Sequence, residues 1–157
     1  MPPLAFLLAV AGLGVSLSGF SGLISAFKRG SSLGPMDAYR LRQIPEMALA
    51  AGFVAVILVP LAATFSDPAT AIRIAGGLGL AFTPFHAVLL IIRMRAMRRP
   101  ITLATWVVAM VIDIAVLAAG VVTVVGGSAA AFEWLLALMI ARPGLAFMLA
   151  LSDVAAG

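Results

Sequence analysis

The sequence predicts an all-α, polytopic membrane protein, a bundle of five helices that each cross the bilayer. Of its 157 residues, 64% are hydrophobic and only 10% are charged, whereas about 25% of the residues in a soluble domain are charged. Five apolar runs are each within the roughly 17–25 residues that cross a hydrocarbon core as a helix. Eight of the ten Lys and Arg residues fall in two short stretches between these runs, 28–42 and 93–99.

The apolar runs define the predicted spans of a single domain. They occupy residues 4–27, 47–65, 72–92, 101–125 and 129–151. The Ser-Asp-Pro sequence at 66–68 predicts a capped turn, the Arg-Pro pair at 99–100 predicts a helix start, and the Gly-Gly pair at 126–127 predicts a helix end. Trp106 and Trp134 lie near the starts of the fourth and fifth spans, at the headgroup level that membrane Trp residues favour.

The fifth run differs from the others because Glu133, Arg142, Pro143 and Gly144 interrupt it. A central Arg costs about 2.5–3.5 kcal/mol to insert, so we expect Arg142 to have a partner within the membrane. Two structures fit this run: a span kinked at Pro143, or a re-entrant helix over 129–141 that Pro143 ends. We favour the kinked span, which gives five crossings.

The two basic stretches predict the orientation of the chain in a bacterial inner membrane. Cytoplasmic loops carry the excess of Lys and Arg, so the loops 28–46 and 93–100 are expected inside, with the N-terminus outside and the C-terminus cytoplasmic. No positive charge precedes the first run, so we interpret it as a retained span and not as a signal peptide. Pro35 and Pro45 bracket a short interfacial helix at 36–44.

Basic side chains in these loops are expected to contact anionic lipid headgroups. They are Lys28, Arg29, Arg40, Arg42, Arg93, Arg95, Arg98 and Arg99. The stretch Ser18-Gly19-Phe20-Ser21-Gly22-Leu23-Ile24-Ser25-Ala26-Phe27-Lys28-Arg29-Gly30, followed by Asp37 and Arg40-Leu41-Arg42, resembles a group of small bacterial inner-membrane proteins of unknown function. The resemblance covers the first third of the chain and implies an inner-membrane location without implying an activity.

Small residues form a predicted packing face on the first span. Gly14, Ser18, Gly22 and Ser25 recur at intervals of three or four and therefore share one side of the helix. Small side chains allow helix backbones to approach closely in lipid, where no hydrophobic force drives helices together. We expect this face to pack against another helix, and we favour one from the same chain over one from a second copy.

Four ionisable residues lie within the predicted spans: His86, Asp113, Glu133 and Arg142. Such residues are candidate functional sites because their burial in lipid is costly. Asp113 lies about 18 Å from the start of the fourth run, and Arg142 lies about 20 Å from the start of the fifth on the opposite side. Their depths are therefore within reach of a long side chain, and we predict that they pair. The pair either holds the fifth span in place or takes part in conduction or gating.

His86 is the only histidine, and three interpretations of it stay open. It is a packing residue that hydrogen-bonds a carbonyl, a group that handles protons or ions, or a ligand to haem or a chlorophyll-type pigment. A haem held by two histidines of one chain is excluded. The chain also contains no cysteine, which excludes disulfides and thiolate metal sites, and we predict no metal site.

The sequence contains no motif of a known enzyme class, neither a P-loop, an HExxH helix nor a nucleophile elbow, so we do not expect an enzyme. The net charge of +4 is accounted for by topology, and no nucleic-acid partner is expected. We predict an oligomeric channel or small transport protein for ions or small solutes. The alternative is an accessory or structural subunit of a larger membrane complex, in which His86 holds a pigment or haem.

Overall fold

The computed structural model describes residues 1–28, 35–97 and 103–155. In that part of the chain there are five α-helices and no strand: α1 (Leu4–Lys28), α2 (Pro35–Thr64), α3 (Pro68–Met97), α4 (Leu103–Gly126) and α5 (Ala129–Ala155). Each helix contains a segment long and apolar enough to cross a bilayer, namely Leu4–Ala26, Leu41–Thr64, Pro68–Arg93, Val107–Gly126 and Ala129–Leu149. The predicted helical bundle of five spans is confirmed, and the chain is a multi-pass membrane protein.

Two of the predicted helix boundaries are built as the sequence indicates. The carboxylate of Asp67 accepts hydrogen bonds from the amides of Ala69 and Thr70 at 3.0 and 3.2 Å, and so caps the start of α3. The hydroxyl of Thr70, the amide of Ala69 and, more weakly, the amide of Thr70 hold the pKa of this carboxyl below its usual range. At the other boundary, Gly127 adopts a φ of 62° and donates to the carbonyl of Thr123 at 2.8 Å, which ends α4.

Helix α2 contains the helix predicted at 36–44 but corrects where that helix ends. Pro45 lies inside α2 and does not end it, so residues 35–46 are helical and the candidate span begins at Leu41. Proline removes one backbone hydrogen bond from a helix, but Leu41 and Ile44 on the preceding turn are buried in a small apolar cluster with α1 and α5. This burial keeps the turn within the bundle. The second predicted loop, 93–100, is likewise helical as far as Met97.

Helix α5 is continuous from Ala129 to Ala155 although it contains Pro143. A re-entrant helix over 129–141 that ends at Pro143 is therefore wrong. Pro143 is fully buried, and neighbouring helices allow a membrane helix to tolerate the carbonyl that a proline leaves without its bond. The described part of the chain thus has the five spans that we favoured.

Helix α2 is central to the packing, because it contacts α1, α3 and α5, while α4 packs on α3 and α5. The main apolar core includes side chains from all five helices, such as Leu7, Leu58, Ile72, Val116 and Phe132. Large apolar side chains also cover much of the outside, among them Phe53, Phe85 and Val111. Such an exterior suits lipid and not water. One end of the bundle contains the C-termini of α1 and α3 and the N-termini of α2 and α4, and we call it the basic end.

Gly14, one residue of the predicted packing face of α1, packs against α2 of the same chain. Gly14 is buried, and a Cβ atom placed on it would lie 2.5 Å from the carbonyl oxygen of Ala48. The backbones can approach this closely only because residue 14 has no side chain. Ser18 and Ser25 are half-buried, and their hydroxyls donate to carbonyls of α1 itself at 2.8 and 2.9 Å.

The prediction is wrong at Gly22, which is exposed and has no atom within 4 Å of the position of a Cβ. Ser21 takes its place on the packing face and is 2% exposed. The reason is the helical repeat: eight residues rotate the side chain by about 80° from Gly14, whereas seven residues leave it within about 20°.

Candidate functional site

Three of the four predicted intramembrane residues come together in one place. His86 from α3, Asp113 from α4 and Arg142 from α5 line a single cavity, and we call these three residues the polar site. Each lies six or seven residues from the end of its candidate span nearest the basic end. At a rise of about 1.5 Å per residue this places them at one level, about 10 Å inside that end.

Asp113 and Arg142 form the predicted ion pair, in which the guanidinium of Arg142 donates to Oδ1 of Asp113. The two side chains are 19% and 7% exposed, respectively. A buried pair of this kind is costly to break, because removal of one partner leaves the other charge without compensation. The pair therefore ties α5 to α4 at the level of the polar site.

His86 is 2% exposed and has no hydrogen-bond partner for either ring nitrogen among the described residues. Its ring stacks on Phe82, with 5.7 Å between the ring centroids. The nearby hydroxyl of Thr83 donates to the carbonyl of Gly79 in its own helix, at 3.2 Å. The interpretation of His86 as a packing residue that hydrogen-bonds a carbonyl is therefore not supported among the described residues. A buried polar atom without a partner costs about 1–3 kcal/mol, which makes the imidazole unusual.

The space beside His86 limits what the imidazole can bind. The cavity measures about 20 Å³, which is enough for one water molecule. Apart from the polar site, the cavity is lined by Thr83 and by the apolar side chains of Met47, Phe82, Val116 and Met139. A haem or chlorophyll macrocycle does not fit beside His86 in this arrangement. Within the described ranges, no three His, Asp or Glu side chains gather in a way that could hold a metal ion.

A second charged cluster lies at the basic end, where Glu46 binds two arginines. Arg93 of α3 donates to both carboxylate oxygens of Glu46 in α2, at 2.6 and 3.1 Å. Arg42 lies one turn before Glu46 and donates to it at 3.0 Å. Sequence reasoning missed this cluster, although the spacing of four residues between Arg42 and Glu46 is typical of a helical ion pair. Arg93 and Glu46 thus join α2 to α3 close to the polar site.

Contact with lipid headgroups stays a prediction for Arg42 and Arg93, which both bind Glu46 and are partly exposed. The remaining members of the predicted headgroup set have side chains outside the described residues. They are Lys28, Arg29, Arg40, Arg95, Arg98 and Arg99. The side chain of Trp106 also falls outside them.

Glu133 is not part of the polar site. It is half-buried near the start of α5, and nine residues, or about 14 Å along the helix, separate it from Arg142. Sequence reasoning also overlooked Arg73, the one charged residue near the start of the third predicted span. Its Nε lies 3.2 Å from the position of a Cβ on Gly127, so its positive charge sits at the C-terminal end of α4, where the helix dipole favours a cation.

Comparison of the chain with protein-family models, with curated proteins and with solved structures finds no match. The resemblance of residues 18–42 to small bacterial membrane proteins therefore stays a prediction. Any assignment of function has to come from the polar site and from the bundle that surrounds it.

Proposed function

We propose that the protein is a small transport protein of the bacterial inner membrane, and that the polar site is the point in the bundle at which the transported species is handled. The basic end faces the cytoplasm in this proposal, because it carries the excess of Lys and Arg. The N-terminus then lies outside and the C-terminus inside.

One observation carries the proposal: a partly buried ion pair and a buried imidazole, which has no hydrogen-bond partner among the described residues, line the same cavity at one depth. An ion pair that only anchored α5 would need no third polar residue beside it. Ionisable groups inside a membrane bundle are rare because they are costly to bury, and they mark substrate or ion pathways and proton relays. The convergence of polar side chains from three helices on this cavity therefore favours transport over a purely structural role.

The same arrangement favours a pathway within one chain over a pore between copies. A pore between copies would need a polar face on the outside of the bundle. Three serines of α1 do not supply such a face, because Ser21 is buried and Ser18 and Ser25 donate to carbonyls of their own helix. A homo-oligomer is compatible with the proposal, with one pathway in each subunit.

Purified protein reconstituted into sealed liposomes tests the proposal. A pH gradient or a gradient of Na⁺, K⁺ or Cl⁻ is imposed, and the flux of each ion is followed with an entrapped dye. We expect flux above that of protein-free liposomes for at least one ion. Asp113→Asn should remove this flux, because it takes away the negative charge of the polar site while nearly keeping its shape.

Glu133→Gln is the matched control, because it removes a carboxyl group from a span at a distance from the polar site. It should leave the flux unchanged. Liposomes that are as tight with the protein as without it, for every ion tested, would contradict the proposal. That result, together with a different membrane protein that stays bound during purification in native lipid, would favour the accessory subunit instead.

A further inference from the structure

We propose that the species transported through the bundle is the proton, and that the imidazole of His86 is the group that binds it. This inference rests on the proposed function and narrows it to one substrate. It is supported by the size of the cavity, by the charges that surround it and by the two nitrogens of the imidazole, which no described residue engages.

The size of the cavity excludes larger substrates from the polar site. A volume of about 20 Å³ holds one water molecule, and therefore also a hydronium ion, but no organic solute. Na⁺ and K⁺ need several oxygen atoms to replace their hydration shell. The wall of the cavity offers mainly apolar side chains, those of Met47, Phe82, Val116 and Met139. A dehydrated metal ion would find too few ligands here.

The charges around the cavity also disfavour a metal ion. From α4 and α5, Asp113 and Arg142 face the cavity and compensate each other. From α2 and α3, Glu46 and Arg93 form a second ion pair at the basic end, and Arg42 adds a further positive charge beside Glu46. No net negative charge is left in the described part of the site to hold Na⁺ or K⁺. A positive charge that enters the site therefore has to be a proton, which is held by a covalent bond.

The imidazole of His86 can form that bond. A neutral imidazole has one nitrogen that accepts a proton and one that donates, and neither nitrogen is engaged with another described residue. Hydronium in the cavity transfers its proton to the accepting nitrogen, which leaves water and an imidazolium. A second water molecule takes the proton from the other nitrogen and becomes hydronium, which restores a neutral ring. The charge of the site rises from zero to plus one and returns, and water is the only other reactant.

The first test measures proton flux in the liposomes with an entrapped pH-sensitive dye. We compare the unchanged protein with His86→Gln, whose side chain is polar but does not titrate, and with Glu133→Gln. His86→Gln should lower proton flux to the level of protein-free liposomes, and Glu133→Gln should not change it. Thermal unfolding of each variant shows whether it is folded.

The second test uses the unchanged protein, so it does not depend on the folding of a variant. Because the chain has a single histidine, ¹⁵N-labelled histidine gives the ring-nitrogen signals of one imidazole in the NMR spectrum. We expect the ring N–H of His86 to exchange with deuterium from the solvent at least as fast as protons pass through the protein. A histidine that only packs, at 2% exposure, would keep its proton for much longer.

The outcomes separate this inference from the proposed function. Proton flux that persists in folded His86→Gln, or a ring N–H that stays protected while protons flow, overturns the role of His86. Flux of Na⁺, K⁺ or Cl⁻ without proton flux overturns the proton as the substrate and leaves the transport function standing. Absence of any flux overturns the proposed function itself.

Discussion

Replacement of Arg142 by Leu should destabilise the bundle strongly, because it leaves the Asp113 carboxylate buried without its partner. Removal of one member of a buried ion pair costs about 3–5 kcal/mol. Asp113 is 19% exposed in its side chain, which gives the remaining charge some access to polar surroundings. We therefore expect a loss near the lower end of that range, about 3 kcal/mol, in the free energy of unfolding.

The double variant Arg142→Leu, Asp113→Leu should recover most of this loss. Apolar residues that replace both members of a buried pair are often neutral or stabilising. Reversible unfolding in detergent micelles, measured for the unchanged protein, both single variants and the double variant, gives the coupling energy between the two residues. A coupling energy within about 0.5 kcal/mol of zero, the usual scatter for independent sites, would refute the ion pair.

The same double variant also separates packing from transport. If the pair only anchors α5, the double variant should fold and keep whatever flux the unchanged protein shows. If the polar site handles the transported species, the double variant should fold and lose the flux. We expect the second result, because Asp113 and Arg142 line the cavity beside His86.

Three further changes test the helix contacts. Gly14→Ala should lower the free energy of unfolding by about 1–3 kcal/mol, the usual cost of overpacking, because its Cβ would meet a backbone oxygen at 2.5 Å. Gly19→Ala is the control, because its Cβ would meet no atom within 4 Å. Equal unfolding curves for the two variants would contradict the close approach of α1 to α2. Gly127→Ala forces a non-glycine residue into a φ of 62° and should lower the melting temperature, while Gly126→Ala should not. Asp67→Ala should remove the cap of α3. The pKa of Asp67 is lowered by folding, so its stabilisation is full above the unfolded pKa and is lost as the pH falls through the folded pKa. Melting temperatures that fall in parallel for the unchanged protein and the variant in this acidic range would argue against a stabilising cap.

The fold follows closely from the sequence because lipid imposes a simple rule on the chain. Each span must be a helix of sufficient length, so apolar runs and the charges between them are enough to count the spans. The pairing of Asp113 with Arg142 could be predicted in the same way, since the helical rise converts residue numbers into depths. Two opposite charges at the same depth in a small bundle have few other charged residues with which to pair.

Features that depend on rotation about a helix axis or on packing between helices were harder to predict. A spacing of four residues suggested Gly22 for the packing face, but the helical repeat gives that place to Ser21. Pro45 looked like a helix end, and only the burial of the turn before it, which includes Ile44, explains why α2 continues. The cavity beside His86 was equally hard to predict, because it is lined by side chains of four helices that are distant in sequence.

The opposite charges of Asp113 and Arg142 lie at one level of the bilayer, so a transmembrane voltage pulls on them with equal and opposite forces. The net force of the voltage on this ion pair is therefore zero. A proton on His86 changes this, because one elementary charge that crosses the whole membrane gains about 2.3 kcal/mol per 100 mV. With His86 about 10 Å inside the basic end of a core about 30 Å thick, a proton that enters from the opposite end has crossed about two-thirds of the field, or about 1.5 kcal/mol per 100 mV. If His86 carries the proton, as we propose, voltage therefore acts on the protonation of the imidazole and not on the helices that hold it.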